Sequence, residues 1–190
     1  MGLRFIADLH LYDKYSLDWR DYLNMSLDEY ANYLVDNWNF FCHEDDVILV
    51  AGDIGHYCER TISTLRKLKG NLVLVVGNHD VEWGNYIYTC GVFKGIHEIA
   101  NLFDDIYIKH IPEFSDIEMH KYRYLIHGHH HRYDMPNMSM KLSQYARNGK
   151  RLNCAADMNN NRPCTLQELI LNKEVSLERY REMGLIKEDL

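Results

Sequence analysis

Val47-Ile48-Leu49-Val50-Ala51-Gly52-Asp53 is an unbroken apolar run that ends on a glycine and a carboxylate. A short run of β-branched and aliphatic residues reads as a strand buried on both faces, as parallel strands are. The glycine lets the backbone turn sharply where the strand stops. The same arrangement recurs along the chain. Leu3–Ala7 runs into Asp8-Leu9-His10, and Leu72–Val76 runs into Gly77-Asn78-His79-Asp80. Ile106–Lys109 runs into His110, and Tyr124–His127 runs into Gly128-His129-His130-His131. Five predicted strands therefore carry metal-binding side-chain types at one end.

Helical patterns lie between the strands. Ser26-Leu27-Asp28-Glu29 is a capping box. It precedes Leu27, Tyr30, Ala31, Leu34, Val35, Trp38 and Phe41 at the i, i+3, i+4 spacing of one apolar helix face. A second helix is predicted over Glu59–Lys69, with Ile62, Leu65 and Leu68 inward and Gly70 as its stop. Alternating strands and helices imply an α/β fold with several parallel strands. From Asp104 onward the strands crowd together, which predicts mixed or antiparallel pairing that includes Arg151–Ala156. Thr165-Leu166-Gln167-Glu168 is another capping box and starts a C-terminal helix. The charged segment from Ser176 reads as a solvated helix or tail, and Met135–Asn148 as a loop. No linker or repeat divides residues 1–190, which read as a single domain.

The chain has 190 residues and a formal charge of −7, with 46% apolar residues and three prolines, so it reads as globular. The acidic balance disfavours a dedicated nucleic-acid binder. Cys42, Cys58, Cys90, Cys154 and Cys164 form no paired pattern and imply reduced thiols in a cytoplasmic setting. The N-terminal apolar run is too short for a signal peptide, and no run has the length of a membrane span. The final Lys187-Glu188-Asp189-Leu190 has the wrong order for an endoplasmic-reticulum retention tail.

Carboxylate, imidazole and amide oxygen are ligands for hard to borderline divalent metals. In extended chain, residues i and i+2 point the same way, so Asp8 and His10 reach one ion, and His129 and His131 repeat that arrangement. Asp53 has two oxygens and can bridge two ions. Asn78 offers a neutral oxygen, and His110 ends its strand. All would gather at strand C-termini, where open α/β sheets bind ligands. Two divalent ions, Asp8, Asp53 and a bridging hydroxide sum to about +1, which attracts a phosphate. His79 faces away from Asn78, placed to hydrogen-bond a phosphate oxygen or to protonate a leaving group. Asp80 is placed to hold the His79 ring.

In these blocks the chain resembles the calcineurin-like metallophosphoesterases, whose pattern is D-x-H, G-D, G-N-H-[DE], H and G-H-x-H. The resemblance spans Asp8 to His131, and all five blocks are present; any one alone is a weak signal. Asn161-Arg162-Pro163-Cys164-Thr165-Leu166 is similar to the ending of small, cap-less bacterial and phage members. The resemblance implies a four-layer α-β-β-α sandwich of two mixed sheets flanked by helices. It implies two divalent metals, manganese first with iron, nickel or zinc compatible. Asp8, His10, Asp53 and His131 would hold one ion, and Asp53, Asn78, His110 and His129 the other. His79 and Asp80 become the catalytic pair, and a hydroxide bridging the metals the nucleophile. The second block, Gly52-Asp53-Ile54-Gly55-His56, departs from the common G-D-x-x-D form. The third block ends in Asp80, where Ser/Thr protein phosphatases have Glu. Both departures point away from a protein phosphatase and toward a hydrolase of small phosphate esters, diesters before monoesters.

Two other functions compete. One is a nuclease acting on DNA or RNA ends; the other is a non-catalytic scaffold of the same fold. Some side chains also carry plainer readings. His127 reads as a packed core residue, and His130 faces away from the metals. His56 lines the substrate pocket or fills a turn. Trp83 and Tyr86 read as packing before they read as a platform for a nucleobase. His43, His97 and His120 read as surface residues.

Overall fold

A computed structural model describes residues 1–16, 20, 23–131 and 149–182. The fold is α/β, with two four-stranded sheets and, among the described residues, five α-helices. The first sheet contains β1 (Leu3–Ile6), β2 (Val47–Val50), β3 (Asn71–Val75) and β4 (Gly95–His97), in that spatial order. The second contains β5 (Ala100–Leu102), β6 (Ile106–Ile108), β7 (Tyr124–His127) and β8 (Arg151–Asn153). The helices are α1 (Leu27–Phe41), α2 (Glu59–Leu65), α3 (Tyr86–Thr89), α4 (Asp116–Lys121) and α5 (Leu166–Glu182).

The five predicted strands form, and their pairing is more parallel than expected. Every pair in the first sheet is parallel, so this sheet is not mixed. Only β5–β6 is antiparallel; β6–β7 and β7–β8 are parallel. The expected change of pairing is real but sits earlier, at the tight turn between β5 and β6. The sequence signalled neither β4 nor β5, which are three residues each and hold little apolar side chain. The second helix stops at Leu65 with Arg66 as its cap, and the chain then turns until Gly70, whose φ is +102°. Both predicted capping boxes close. Glu29 N–H donates to Ser26 Oγ at 3.3 Å, and Glu168 N–H to Thr165 Oγ1 at 3.3 Å. The loop expected at Met135–Asn148 and the last residues of the C-terminal segment lie outside the described residues.

Strand alternation explains how the core is divided. Phe5, Leu49 and Val75 of the first sheet share one apolar cluster with Ile106, Ile108, Ile126 and Leu152 of the second. The intervening Ile6, Ile48, Val50, Leu72 and Leu74 pack with Ala31, Leu34 and Trp38 of α1 and Ile62 and Leu65 of α2. Tyr107 and Leu125 project from the second sheet the other way, against Tyr122, Phe114 and Met119. The central strands are thus covered on both faces, which is why their sequences read as continuous apolar runs. Parallel pairing brings the C-terminal ends of neighbouring strands to the same end of each sheet. Two bonds tie β1 to the segment after β8: Ala7 N–H to Cys154 O at 2.9 Å and Ala156 N–H to Ala7 O at 2.9 Å. No helix among the described residues is long and apolar enough to cross a membrane.

The first turn of α4 holds an acid-labile contact. Glu118 accepts from Ser115 N–H at 2.6 Å and Ser115 Oγ–H at 2.9 Å, with Lys109 Nζ at 3.5 Å. Burial works against its charge, but the Tyr107 hydroxyl and Ser115 outweigh that and hold its carboxyl down from 4.5 to about 2. A depressed carboxylate stabilises the fold above its unfolded pKa and loses that contribution as pH falls through its folded pKa. Urea unfolding followed across pH tests this. Glu118→Gln is expected to be less stable than wild type at neutral pH, with the gap closing from about pH 4.5 toward about 2. A gap independent of pH would remove the assigned role.

Candidate metal centre

Two groups of side chains meet where the strands end. Ligand atoms of Asp8, His10 and His131 lie within 4.8 Å of one another, and so do those of Asp53, His110 and His129. Asp8 follows β1, Asp53 follows β2, His110 follows β6, and His129 and His131 follow β7, as expected from the sequence. Asp53 joins the groups: its Oδ2 is 3.1 Å from His110 Nε2 and 3.7 Å from His10 Nε2. Asp8 Oδ1 is 3.6 Å from His131 Nε2 and 3.8 Å from His10 Nε2. Asn78 completes the second group, its Oδ1 3.1 Å from His129 Nδ1. All seven predicted ligands are therefore gathered at one place.

The rings are held from behind. His10 Nδ1 is 3.3 Å from Asp13 Oδ2, His131 Nδ1 is 3.3 Å from Asp157 Oδ2, and His110 Nδ1 is 2.7 Å from Ala51 O. In each, the second ring nitrogen is turned toward the carboxylates of the centre. His110 Nε2 is buried, sits 3.1 Å from Asp53 Oδ2, and makes no hydrogen bond. Buried nitrogen and oxygen donors converging on one place fit a shared cation, and a set without thiolate suits Mn, Fe, Ni or Zn. The local field agrees. Burial disfavours charge on His10 and His110, yet Asp13 and Asp8 around the first and Asp53 and Asp8 around the second raise both to about 9. Burial also opposes the Asp8 charge, and His10, His110 and His131 still push its carboxyl well below the usual range.

The route to this geometry differs from the extended-strand argument. Asp8, His10, Asp53 and His129 have φ of 57°, 42°, 55° and 68°, in the left-handed region that non-glycine residues avoid. Asp8 and His10 share a group but are presented by left-handed residues and not by extended chain, whereas His129 and His131 enter different groups. Such conformers cost about 1–3 kcal/mol each and persist only where neighbours over-determine them. Here Asp8 N–H donates to Gly52 O at 2.9 Å and His10 N–H to Asp53 O at 3.0 Å. His129 N–H donates to the Asp8 carboxylate at 3.0 Å. Gly77 and Gly128 are required for close approach: a Cβ on the first would overlap the Asp53 carboxylate, and on the second the Asp8 carboxylate.

Asp80 has a different task from the one expected. Its carboxylate accepts from Gly77 N–H at 2.8 Å, Asp53 N–H at 2.9 Å and Ile54 N–H at 2.9 Å. Both oxygens are thus spent on backbone, and the side chain does not hold the His79 ring. It lies buried at the start of a 3₁₀ turn (His79–Trp83). His79 itself is exposed, donates its N–H to Asp53 Oδ1 at 2.9 Å, and sets its ring edge-on to His10 at 5.4 Å between centroids. It stands on the solvent side of the centre.

The sequence reading missed three residues. Asp13 stands three residues after His10, and Asp157 ends the apolar run after β8 just as Asp8 and Asp53 end theirs, so both had a signal. Arg20 had none. It is 2% exposed, donates Nη2–H to Asp8 O at 2.7 Å, and covers the Tyr30 ring at 4.5 Å. His127 is buried with Nδ1 2.8 Å from Gly128 O, and burial lowers its pKa to about 3, in keeping with a core residue. The His130 ring packs on His127 at 5.8 Å. The His56 side chain is exposed, as are those of His43, His97 and His120. Trp83 is buried, donates Nε1–H to Gly55 O at 3.0 Å, and stacks with Tyr86, so it packs.

No protein-family model and no curated protein matches the chain. Among solved structures it is similar to the crystal structure of a protein of unknown function from Aquifex aeolicus. That likeness has a TM-score of 0.65 and 19% identity, and covers 88% of this chain and 96% of the other. At this identity the likeness shows a shared fold.

Asp80→Ala is expected to destabilise the protein by about 3 kcal/mol or more, because three buried N–H groups lose their acceptor. Asp80→Asn keeps one acceptor oxygen and should lose less. Denaturant unfolding of both variants is the check. Equal stability of the alanine and asparagine variants would refute the amide-binding role.

Proposed function

We propose that the chain is a metal-dependent phosphoesterase of the calcineurin-like metallophosphoesterase type. It hydrolyses small phosphate esters, diesters in preference to monoesters. The observation that carries the reading is the meeting of the two ligand groups at Asp53. The four-layer α-β-β-α arrangement belongs to the same reading, supported by apolar clusters between the two sheets and on the outer face of each. Asp8, His10, Asp53 and His131 would hold one divalent ion, and Asp53, Asn78, His110 and His129 the other. When bound, such a pair supplies positive charge for a phosphate and brings a water pKa toward about 7.

The chain's own residues supply the rest. Asp53 spans the two positions and is held by Asp80 through its backbone. His79, on the exposed side and next to Asn78 in sequence, is the residue that can reach a substrate oxygen. Its N–H on Asp53 Oδ1 fixes the backbone from which the ring projects. No Ser, Thr or Cys nucleophile is needed in this arrangement.

Turnover of a chromogenic phosphodiester and monoester with Mn²⁺, Ni²⁺, Zn²⁺ or Fe²⁺ tests the reading. His79→Ala should lower turnover by about 10²–10⁴-fold with metal content unchanged. Asp53→Asn should lose bound metal as well as rate. Absence of turnover with every ion would overturn the hydrolase reading. Faster cleavage of single-stranded oligonucleotides than of small esters would favour a nuclease instead.

A further inference from the structure

The two ligand groups are not backed alike. Behind His10 and His131 stand carboxylates, Asp13 Oδ2 and Asp157 Oδ2, each 3.3 Å from the ring Nδ1. Behind His110 stands a neutral carbonyl, Ala51 O at 2.7 Å, and His129 Nδ1 lies 3.1 Å from Oδ1 of Asn78, its neutral fellow in the second group. Asp53 is common to both groups. The His10 group adds Asp8, Asp13 and Asp157, with the Arg20 guanidinium on the Asp8 carbonyl. Among the described residues, the His110 group has no carboxylate behind either of its rings. Burial sharpens the contrast, because Asp8 and His10 are 0% and 1% exposed whereas Asn78 is exposed and His129 only partly covered. Charges count for more where water is excluded.

We infer that the two cation positions are unequal, and that Asp13 and Asp157 are positioning residues that make the His10–His131 position the tighter one, filled first. The His110–His129–Asn78 position then takes the weaker, more exchangeable ion on the open side. This rests on the phosphoesterase reading above. A carboxylate behind a ligating histidine fixes its tautomer and raises its basicity, and loss of such a partner typically costs about 10–100-fold in metal affinity.

The experiment is calorimetric titration of metal-free protein with Mn²⁺. Wild type should take up two ions in two resolved steps. Asp13→Asn and Asp157→Asn keep an oxygen acceptor for Nδ1–H but remove the charge. Each should weaken the first step by about 10-fold or more and leave the second unchanged. Asn78→Ala should weaken the second step alone. Asp13 lies in a partly exposed turn, so its variant carries the test even where the buried Asp157 variant does not fold. Equal wild-type steps, a parallel loss of both steps, or no loss in Asp13→Asn would overturn the inference. Turnover measured on the same samples separates the two readings. Ester hydrolysis with unaltered Mn²⁺ uptake in Asp13→Asn defeats the inference alone, whereas stepwise uptake without any hydrolysis defeats the hydrolase reading alone. Failure of wild type to bind Mn²⁺ defeats both.

Discussion

Three backbone N–H groups, from Gly77, Asp53 and Ile54, converge on the carboxylate of Asp80. Hydrogen bonds to a charged acceptor are worth about 1.5–3 kcal/mol each. Burial and the nearby Asp53 charge push the Asp80 carboxyl up, and the three amides push it back down. The outcome is a buried acceptor that clamps the chain leaving β2 to the chain leaving β3. Everything at the site is referenced to this clamp. It holds Asp53 at a φ of 55°, and Asp53 in turn faces imidazoles from both groups. Gly77 must lack a side chain because the clamp brings its Cα against the Asp53 carboxylate.

The second constraint is that the ligands come from two sheets. Asp8, Asp53 and Asn78 belong to the first, and His110, His129 and His131 to the second. The sheets must therefore be locked at their ligand-bearing ends as well as packed through their apolar faces. Polar bonds do this where apolar packing stops. His110 Nδ1 reaches Ala51 O across the interface, and His129 N–H reaches the Asp8 carboxylate. Ala156 N–H reaches Ala7 O. The ligands thus double as the fastening between the sheets.

Much of this was legible in the sequence, for a physical reason. A strand buried on both faces must be apolar, so the first polar residue after it marks the sheet edge and stands out. That logic found β1, β2, β3, β6 and β7 and all seven ligands. It found nothing at β4 and β5, where the strands are three residues long and half-exposed. It also assigned Asp80 by adjacency in sequence. The carboxylate is adjacent to His79 along the chain, but three unsatisfied amides lie nearer in space, and buried N–H groups compete strongly for an acceptor. The extended-chain argument for Asp8 and His10 reached the right pairing through the wrong backbone. The positive φ at Asp8 and at His10 re-aims each side chain individually, and nothing in the sequence marks those two residues for it.

Arg20 shows where pattern reasoning has no purchase. A buried guanidinium is costly unless its surroundings repay it. Here repayment comes from the Asp8 carbonyl and the Tyr30 ring. Neither partner is adjacent to it in sequence, and neither spacing is a helix or strand repeat. The same arginine explains how Asp8 tolerates a φ of 57° with a buried carbonyl, since Nη2–H occupies that oxygen. Among the described residues it is also a cation set against the three carboxylates around His10 and His131. The imbalance of charge across the centre therefore survives it. A protein with a net charge of −7 has no general attraction for phosphate esters. On the proposed reading, that attraction is made locally, by ions that this concentrated group of carboxylates would hold.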